Sequence, residues 1–166
     1  MCRISKDDEI QSRVLKLADV LSARGKTVAT AESCTGGGIA AAMTAVAGSS
    51  AWFMGGYVTY ANEWKMRCLG VKSETLEAHG AVSAETVGEM LTGLLKAGGT
   101  DYGVAVSGIA GPGGGSADKP VGTVYVGVAC RDRRVVRRCG FDGDREDVRS
   151  ATVLTALEML LELARQ

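Results

Sequence analysis

The sequence predicts a single α/β domain of three layers, with a mixed, mostly parallel sheet and helices on both faces. Three observations carry that reading. Segments of helical and of strand period alternate along the chain, the pattern that layers helices over a sheet. Residues 102–106 (YGVAV) form a near-continuous apolar strand, as in sheets covered on both sides. Neither an internal repeat nor an interdomain linker interrupts the 166 residues, a length that suits one domain with a sizeable core.

Each element has its own signal. Ile10, Val14, Leu17 and Leu21 recur at helical spacing, with Asp7, Asp8 and Glu9 suited to the positive end of the helix and Gly25 to its stop. Residues 27–31 read as a short strand, followed by a glycine turn and a small-residue helix over 38–47. Gly48-Ser49-Ser50 ends that helix, and residues 51–60 read as a strand. A short helix over 62–69 stops at Gly70, and a turn region leads through Gly80 to a helix that Ser83 can cap. Val87, Met90, Leu91, Leu94 and Leu95 give that helix its apolar face. After strand 102–106 comes a long flexible loop, 107–115. Residues 121–130 and 135–141 read as a hairpin around 131–134, and 144–163 as the closing helix.

Composition excludes several classes of function. Nineteen basic residues balance nineteen acidic ones, so no net field attracts nucleic acid or an anionic membrane. The arginine-rich stretch 131–138 (RDRRVVRR) reads as the solvated face of a strand or hairpin. No apolar run reaches the roughly 18 residues that span a bilayer. The start MCRISKDDEI has no signal-peptide core. Five cysteines (Cys2, Cys34, Cys68, Cys130, Cys139) without CxxC spacing suggest a reduced, cytoplasmic protein rather than a disulfide framework or a zinc knuckle. With one histidine, His79, a histidine-based metal centre is excluded by count, and no metal or cofactor is expected.

The chemistry concentrates in TAESCTGGGIA, residues 30–40, where Ser33, Cys34 and Thr35 precede Gly36 and Gly37 at the mouth of a helix. Free amides and the helix dipole favour an anion there, although a tight turn needing positive φ explains the glycines equally well. Neither this turn nor residues 111–115 matches a Walker or dinucleotide fingerprint. Both lie at ends of buried strands, where α/β ligand clefts form. His79, in a turn, reads as structural or peripheral, so a serine nucleophile would need a lysine base: Lys65 or Lys119. An ordinary lysine is neutral in only about one molecule in 2,500 at pH 7. Service as a base needs its pKa lowered by about three units, or about 4 kcal/mol of desolvation or like charge. The apolar flanks of YVTYANEWK and the hydroxyl of Tyr60 offer Lys65 such surroundings, but spacing alone does not separate it from a surface lysine. Cys34 is a competing nucleophile or a small buried residue. Arg145 could fork onto a phosphate or pair with Asp144 or Asp147.

TAESCTGG, AGSSAWFMGGYVTYANEWK, LGV, HGAVS, SGIAGPGGGSADKPVGTV and FDGDREDVR together resemble the C-terminal domain of the CinA family, over nearly the whole chain from Thr27 onward. The family includes stand-alone nicotinamide-nucleotide amidohydrolases. The resemblance implies hydrolysis of nicotinamide mononucleotide to nicotinate mononucleotide and ammonia, in pyridine-nucleotide salvage. Longer members carry a further N-terminal domain similar to molybdopterin-binding proteins, whose activities are not expected here. The family pattern marks Ser33, Ser50, Tyr60, Lys65 and Arg145. On that basis Ser50 is expected to attack the carboxamide, with Lys65 as base and Tyr60 relaying or orienting the proton; Ser33 is the alternative nucleophile. Ser33, Thr35 and the amides of Gly36 and Gly37 would hold an oxyanion or phosphate, and Arg145 with Gly111 and Gly113 would bind the ribose phosphate or close over the ring. Two other readings stay open: a cysteine amidohydrolase using Cys34, and a non-catalytic nucleotide-binding or regulatory module. The expected partners are a small-molecule nucleotide and a second copy of the chain, a dimer first, with no nucleic acid and no membrane.

Overall fold

The computed structural model describes residues 5–166; Cys2 lies outside the described residues. Six helices and five strands follow the order α1 (Lys6–Arg24), β1 (Val28–Glu32), α2 (Gly38–Thr44), β2 (Phe53–Val58), α3 (Asn62–Leu69), α4 (Ser73–His79), α5 (Ala84–Gly98), β3 (Tyr102–Gly108), β4 (Thr123–Cys130), β5 (Arg133–Gly140) and α6 (Arg145–Ala164). The sheet order is β2-β1-β3-β4-β5. β1 pairs in parallel with β2 and β3, while the β3–β4 and β4–β5 pairings are antiparallel. Four strands therefore point one way and β4 alone opposes them, which is the mixed sheet the alternating pattern predicted.

The layers follow from which side chains each helix can bury. Val14, Leu17 and Leu21 of α1, Ile39 and Met43 of α2 and the long apolar stripe of α6 pack with Val104, Val106, Val124, Val126 and Val128 on one face. Val87, Met90, Leu91 and Leu94 of α5 pack with Ala29, Ala31, Ala105 and Ala129 on the other. β1 is buried at all five positions because both faces and both edges are covered.

Local caps set the helix ends. Ser5 and Asp8 form a capping box on α1, Asp144 and Asp147 form one on α6, and Ser83 accepts from the Thr86 amide on α5. The structure departs from expectation at several boundaries: α2 ends at Thr44 rather than at 47, β3 runs on to Gly108, and β5 begins at Arg133, inside the stretch 131–134 expected as the hairpin turn. The turn region before Gly80 contains the helix α4, which has no fully buried residue and hence no apolar stripe to betray it. Strand β2 is shorter than 51–60, since Ser49–Ala51 forms a 3₁₀ turn.

The seat of α3 depends on one glycine. A Cβ at Gly93 of α5 would overlap the carbonyl of Leu69, the last residue of α3. Gly93→Ala is expected to push α3 off α5 and to cost stability on the scale of an overpacked core, about 1–3 kcal/mol. Denaturant unfolding checks it: an unchanged midpoint would show that α3 tolerates the shift.

Candidate active site

The carboxyl ends of β1, β2 and β3 converge on one edge of the sheet. From β1 comes the turn Ser33–Gly37, from β2 the segment Thr59–Tyr60 leading into α3, and from β3 the loop through Gly111. The N-terminus of α6 closes over them, since β5 ends at the same edge.

Lys65, on the second turn of α3, is 1% exposed. Its Nζ lies 3.1 Å from Ser33 Oγ, 2.8 Å from the Thr59 carbonyl and 3.1 Å from the Tyr60 carbonyl. Among the described residues no carboxylate lies within ion-pairing distance of it. Burial therefore lowers its pKa below the ordinary lysine value, opposed by Cys34 only where that thiol is ionised. In the charged form Nζ donates to all three oxygens. Loss of one proton leaves two N–H groups for the carbonyls and a lone pair facing the Ser33 hydroxyl, the arrangement a base needs.

The neighbouring side chains frame that pair. Arg145 donates to the Tyr60 hydroxyl at 2.9 Å and to the Gly111 carbonyl at 2.9 Å, tying the segments after β2 and β3 to the start of α6. Arg149, one turn further along α6, donates to the Thr35 carbonyl at 2.9 Å. Both arginines line an open cavity of about 660 Å³ with Gly111, Pro112 and Val121. Gly113 is exposed in the loop.

The anion site expected at the start of α2 is already filled from within the chain. The fully buried Glu32 accepts from Thr35 Oγ1 at 2.6 Å and from the amides of Gly37, Ile39 and Ala40 at 3.1, 2.9 and 2.8 Å. The Gly36 amide donates to the Ser33 carbonyl at 3.0 Å. The amides of Gly36 and Gly37 and the Thr35 hydroxyl thus hold the turn together rather than pointing at a ligand. Sequence reasoning quoted Glu32 and gave it no role, because a strand residue that caps the helix after it lacks a usual spacing. Arg149 was also missed, although its four-residue offset from Arg145 puts both on one helix face.

Ser50 is not brought to this group. Parallel pairing sets Val28 beside Phe53 and Glu32 beside Val58, so the turn carrying Ser50 sits at the opposite edge of the sheet from Ser33. On the order of 15 Å of strand separates the two edges at about 3.3 Å per residue. Within one chain Ser50 cannot deliver its proton to Lys65.

The competing nucleophile fares poorly. Cys34 packs in the core at 5% exposure, and its thiol is pushed up to about 11, by burial first and also by the Glu32 carboxylate. At neutral pH about one molecule in 10,000 would carry the thiolate. His79 ends α4 with its ring 3.7 Å from Glu85 at the surface, and Lys119 donates to the His79 carbonyl. Among the described residues, no three His, Cys, Asp or Glu side chains gather as a metal ligand set, and no helix is long and apolar enough to cross a membrane.

The fold and its contents define an α/β domain with a buried lysine–serine contact at the carboxyl edge of the sheet and two arginines beside it. A family model described as the CinA C-terminal domain matches residues 10–164, and the chain belongs to that family. It is 52% identical over 155 residues to "Nicotinamide-nucleotide amidohydrolase PncC" of Escherichia coli K12, covering 93% of this chain and 94% of that one. It is 50% identical over 159 residues to the protein of the same name from Pseudomonas putida, covering 96% and 99%. A crystal structure of the competence/damage inducible protein CihA from Agrobacterium tumefaciens superimposes over the whole of both chains, with a TM-score of 0.93 and 43% identity.

Proposed function

We propose that the chain is a nicotinamide-nucleotide amidohydrolase in which Ser33 is the nucleophile and Lys65 the base. The observation that carries the reading is the 3.1 Å contact between a buried lysine and a serine hydroxyl. Similarity to enzymes of that name along nearly their full length supplies the substrate.

Ser33 Oγ attacks the carboxamide carbon of nicotinamide mononucleotide as its proton passes to Lys65 Nζ. The tetrahedral intermediate collapses, the C–N bond breaks, and Lys65 returns the proton to the departing nitrogen, releasing ammonia. Water then attacks the acyl-serine ester with Lys65 again taking a proton; the C–Oγ bond breaks, Lys65 returns that proton to Ser33 Oγ, and nicotinate mononucleotide leaves. Tyr60, held by Arg145, borders the site and orients the ring or the attacking water. Arg145, which the resemblance already assigned to the ribose phosphate, binds it together with Arg149. The free thiols Cys34, Cys68, Cys130 and Cys139 suit a reducing compartment, and we place the protein in the cytoplasm on that ground.

Ammonia release from nicotinamide mononucleotide by the purified protein tests the reading. Release is expected from the wild type, and full turnover from Cys34→Ala. Nucleotide binding without release would favour a non-catalytic module instead. Arg145→Ala is expected to raise KM for the mononucleotide about 10- to 100-fold, the worth of a hydrogen bond to a charged group. Nicotinamide riboside, which lacks the phosphate, should respond to the same substitution much less. Equal effects on both substrates would remove the phosphate role.

A further inference from the structure

Buried hydroxyls normally have a hydrogen-bond partner, and each one without a partner calls for a physical account. Among the described residues two buried side-chain oxygens have none, Thr30 Oγ1 and Thr59 Oγ1. Thr30 shares the α2 side of the sheet with Val28 and lies against Gly56, where a Cβ would overlap its hydroxyl. Thr59 belongs to the candidate site.

Thr59 is 0% exposed and directly follows β2. Its amide donates to the Glu32 carbonyl at 2.8 Å, which continues the β1–β2 pairing and sets Thr59 alongside Ser33. Side chains alternate between the two faces along a strand. Ala31 and Tyr57 pack on the α5 side, so Ser33 and Thr59, two residues further on, belong to that same side. Lys65 comes in from there, and its Nζ donates to Thr59's own carbonyl at 2.8 Å.

The other hydroxyls around the pair are already engaged. Thr35 Oγ1 donates to Glu32 at 2.6 Å, Ser107 Oγ donates to the Ala81 carbonyl at 2.7 Å, and the Tyr60 hydroxyl accepts from Arg145 at 2.9 Å. Of these four hydroxyls only that of Thr59 is uncommitted. The reaction has a use for it. Acylation turns Ser33 Oγ into an ester oxygen with no proton to give, so in the second half the lone pair of Lys65 must face a water instead. A buried water is held by about three hydrogen bonds. Lys65 and the acyl-serine oxygen supply two of them, and a third group must be fixed beside them.

We propose that Thr59 Oγ1 is that group and seats the water that hydrolyses the acyl-serine. The inference rests on the amidohydrolase reading and concerns only its second half. The water oxygen bonds to the acyl carbon as one of its protons passes to Lys65 Nζ. The C–Oγ bond then breaks and that proton returns to Ser33 Oγ. Thr59 exchanges no proton: it accepts from the other hydrogen of the water and so aims a lone pair at the ester, which leaves Tyr60 to the ring.

Two substrates separate the halves of the reaction. Single-turnover ammonia release from nicotinamide mononucleotide reports acylation. Turnover of the methyl ester of nicotinate mononucleotide reports deacylation, because its better leaving group makes acylation fast. Thr59→Val keeps the shape of the side chain and removes its hydroxyl. It should lower ester turnover about 10- to 100-fold, the effect of losing one buried hydrogen bond. Methanol should then appear in a burst, and mass spectrometry should find the acyl group on the peptide holding Ser33. Single-turnover ammonia release should change less than about twofold. Thr59→Ser should restore ester turnover, and Thr59→Ala should repeat the split if valine does not fit.

The melting temperature of Thr59→Val should equal or exceed that of the wild type, since an orphaned hydroxyl is costly and a methyl in its place is not. Thr30→Val removes the other orphan and should leave both reactions unchanged. Equal slowing of both halves, or the same split in Thr30→Val, would mark a packing effect and overturn the proposal. Normal ester turnover in Thr59→Val and Thr59→Ala would overturn it too, with the amidohydrolase reading intact. A wild type that releases neither ammonia nor methanol would sink that reading, and the water seat with it.

Discussion

Lys65→Met should lower the rate of ammonia release by about 10²- to 10⁴-fold, the range of a positioned general base. Methionine keeps the length and apolar body of the lysine stem, so the α3 seat should survive while the proton acceptor is lost. The wild-type pH profile carries the same signature. Burial holds the Lys65 pKa below 10.5, so kcat/KM should rise with pH as the free enzyme's amine loses its proton, with the apparent pKa below the ordinary lysine value. That rising limb should be absent from the residual rate of Lys65→Met. Stability is linked with the same sign. Below its folded pKa the lysine is charged in both states and contributes no slope. Between the depressed folded value and 10.5 the unfolded chain holds more protons, so this group makes the fold more stable as pH rises through that window. Near-normal turnover with an unchanged profile in Lys65→Met would remove lysine from the chemistry.

Glu32→Ala is expected to have the largest effect on folding. It would leave the amides of Gly37, Ile39 and Ala40 and the Thr35 hydroxyl without their acceptor in a buried turn. At about 1–3 kcal/mol for each orphaned donor, partly relieved by entering water, a total of roughly 3–5 kcal/mol is reasonable. Against a typical total of about 5–15 kcal/mol, that approaches unfolding. Denaturant titration should show the midpoint of Glu32→Ala well below that of Glu32→Gln, which keeps one acceptor oxygen. Equal midpoints would mean that the carboxylate does not hold the turn. Because this turn carries Ser33, activity should fall with the fold in both variants.

What the sequence made legible and what it hid divide along physical lines. Alternating periods and the apolar run at 102–106 disclose the layered sheet because burial on two faces leaves a one-dimensional trace. The Ser83 cap and the start of α6 at Asp144 are local and readable for the same reason. Lys65 as a buried base is not local. Its burial depends on α3 settling against α5 where Gly93 leaves room, and on carbonyls from the preceding segment. In the sequence it looks like any surface lysine.

Ser33 and Ser50 are equally plausible as letters, each beside glycine or small residues after a secondary-structure break. Only the parallel register of β1 and β2 separates them, by setting one at each edge of the sheet. The glycine turn misled for a related reason. Free amides at a helix start attract an anion, but here the anion is supplied by the strand residue just before the turn. Arg149 escaped notice because its value comes from sharing a helix face with Arg145, and that helix's pattern is dominated by its apolar stripe.

The measurement that bears most directly on the mechanism is ammonia release from saturating nicotinamide mononucleotide by Ser33→Ala beside the wild type, both verified as folded by circular dichroism. Steady release by the wild type, with none above the uncatalysed rate from Ser33→Ala, is the predicted result. Turnover by Ser33→Ala close to that of the wild type would contradict the serine–lysine pair as the reacting centre.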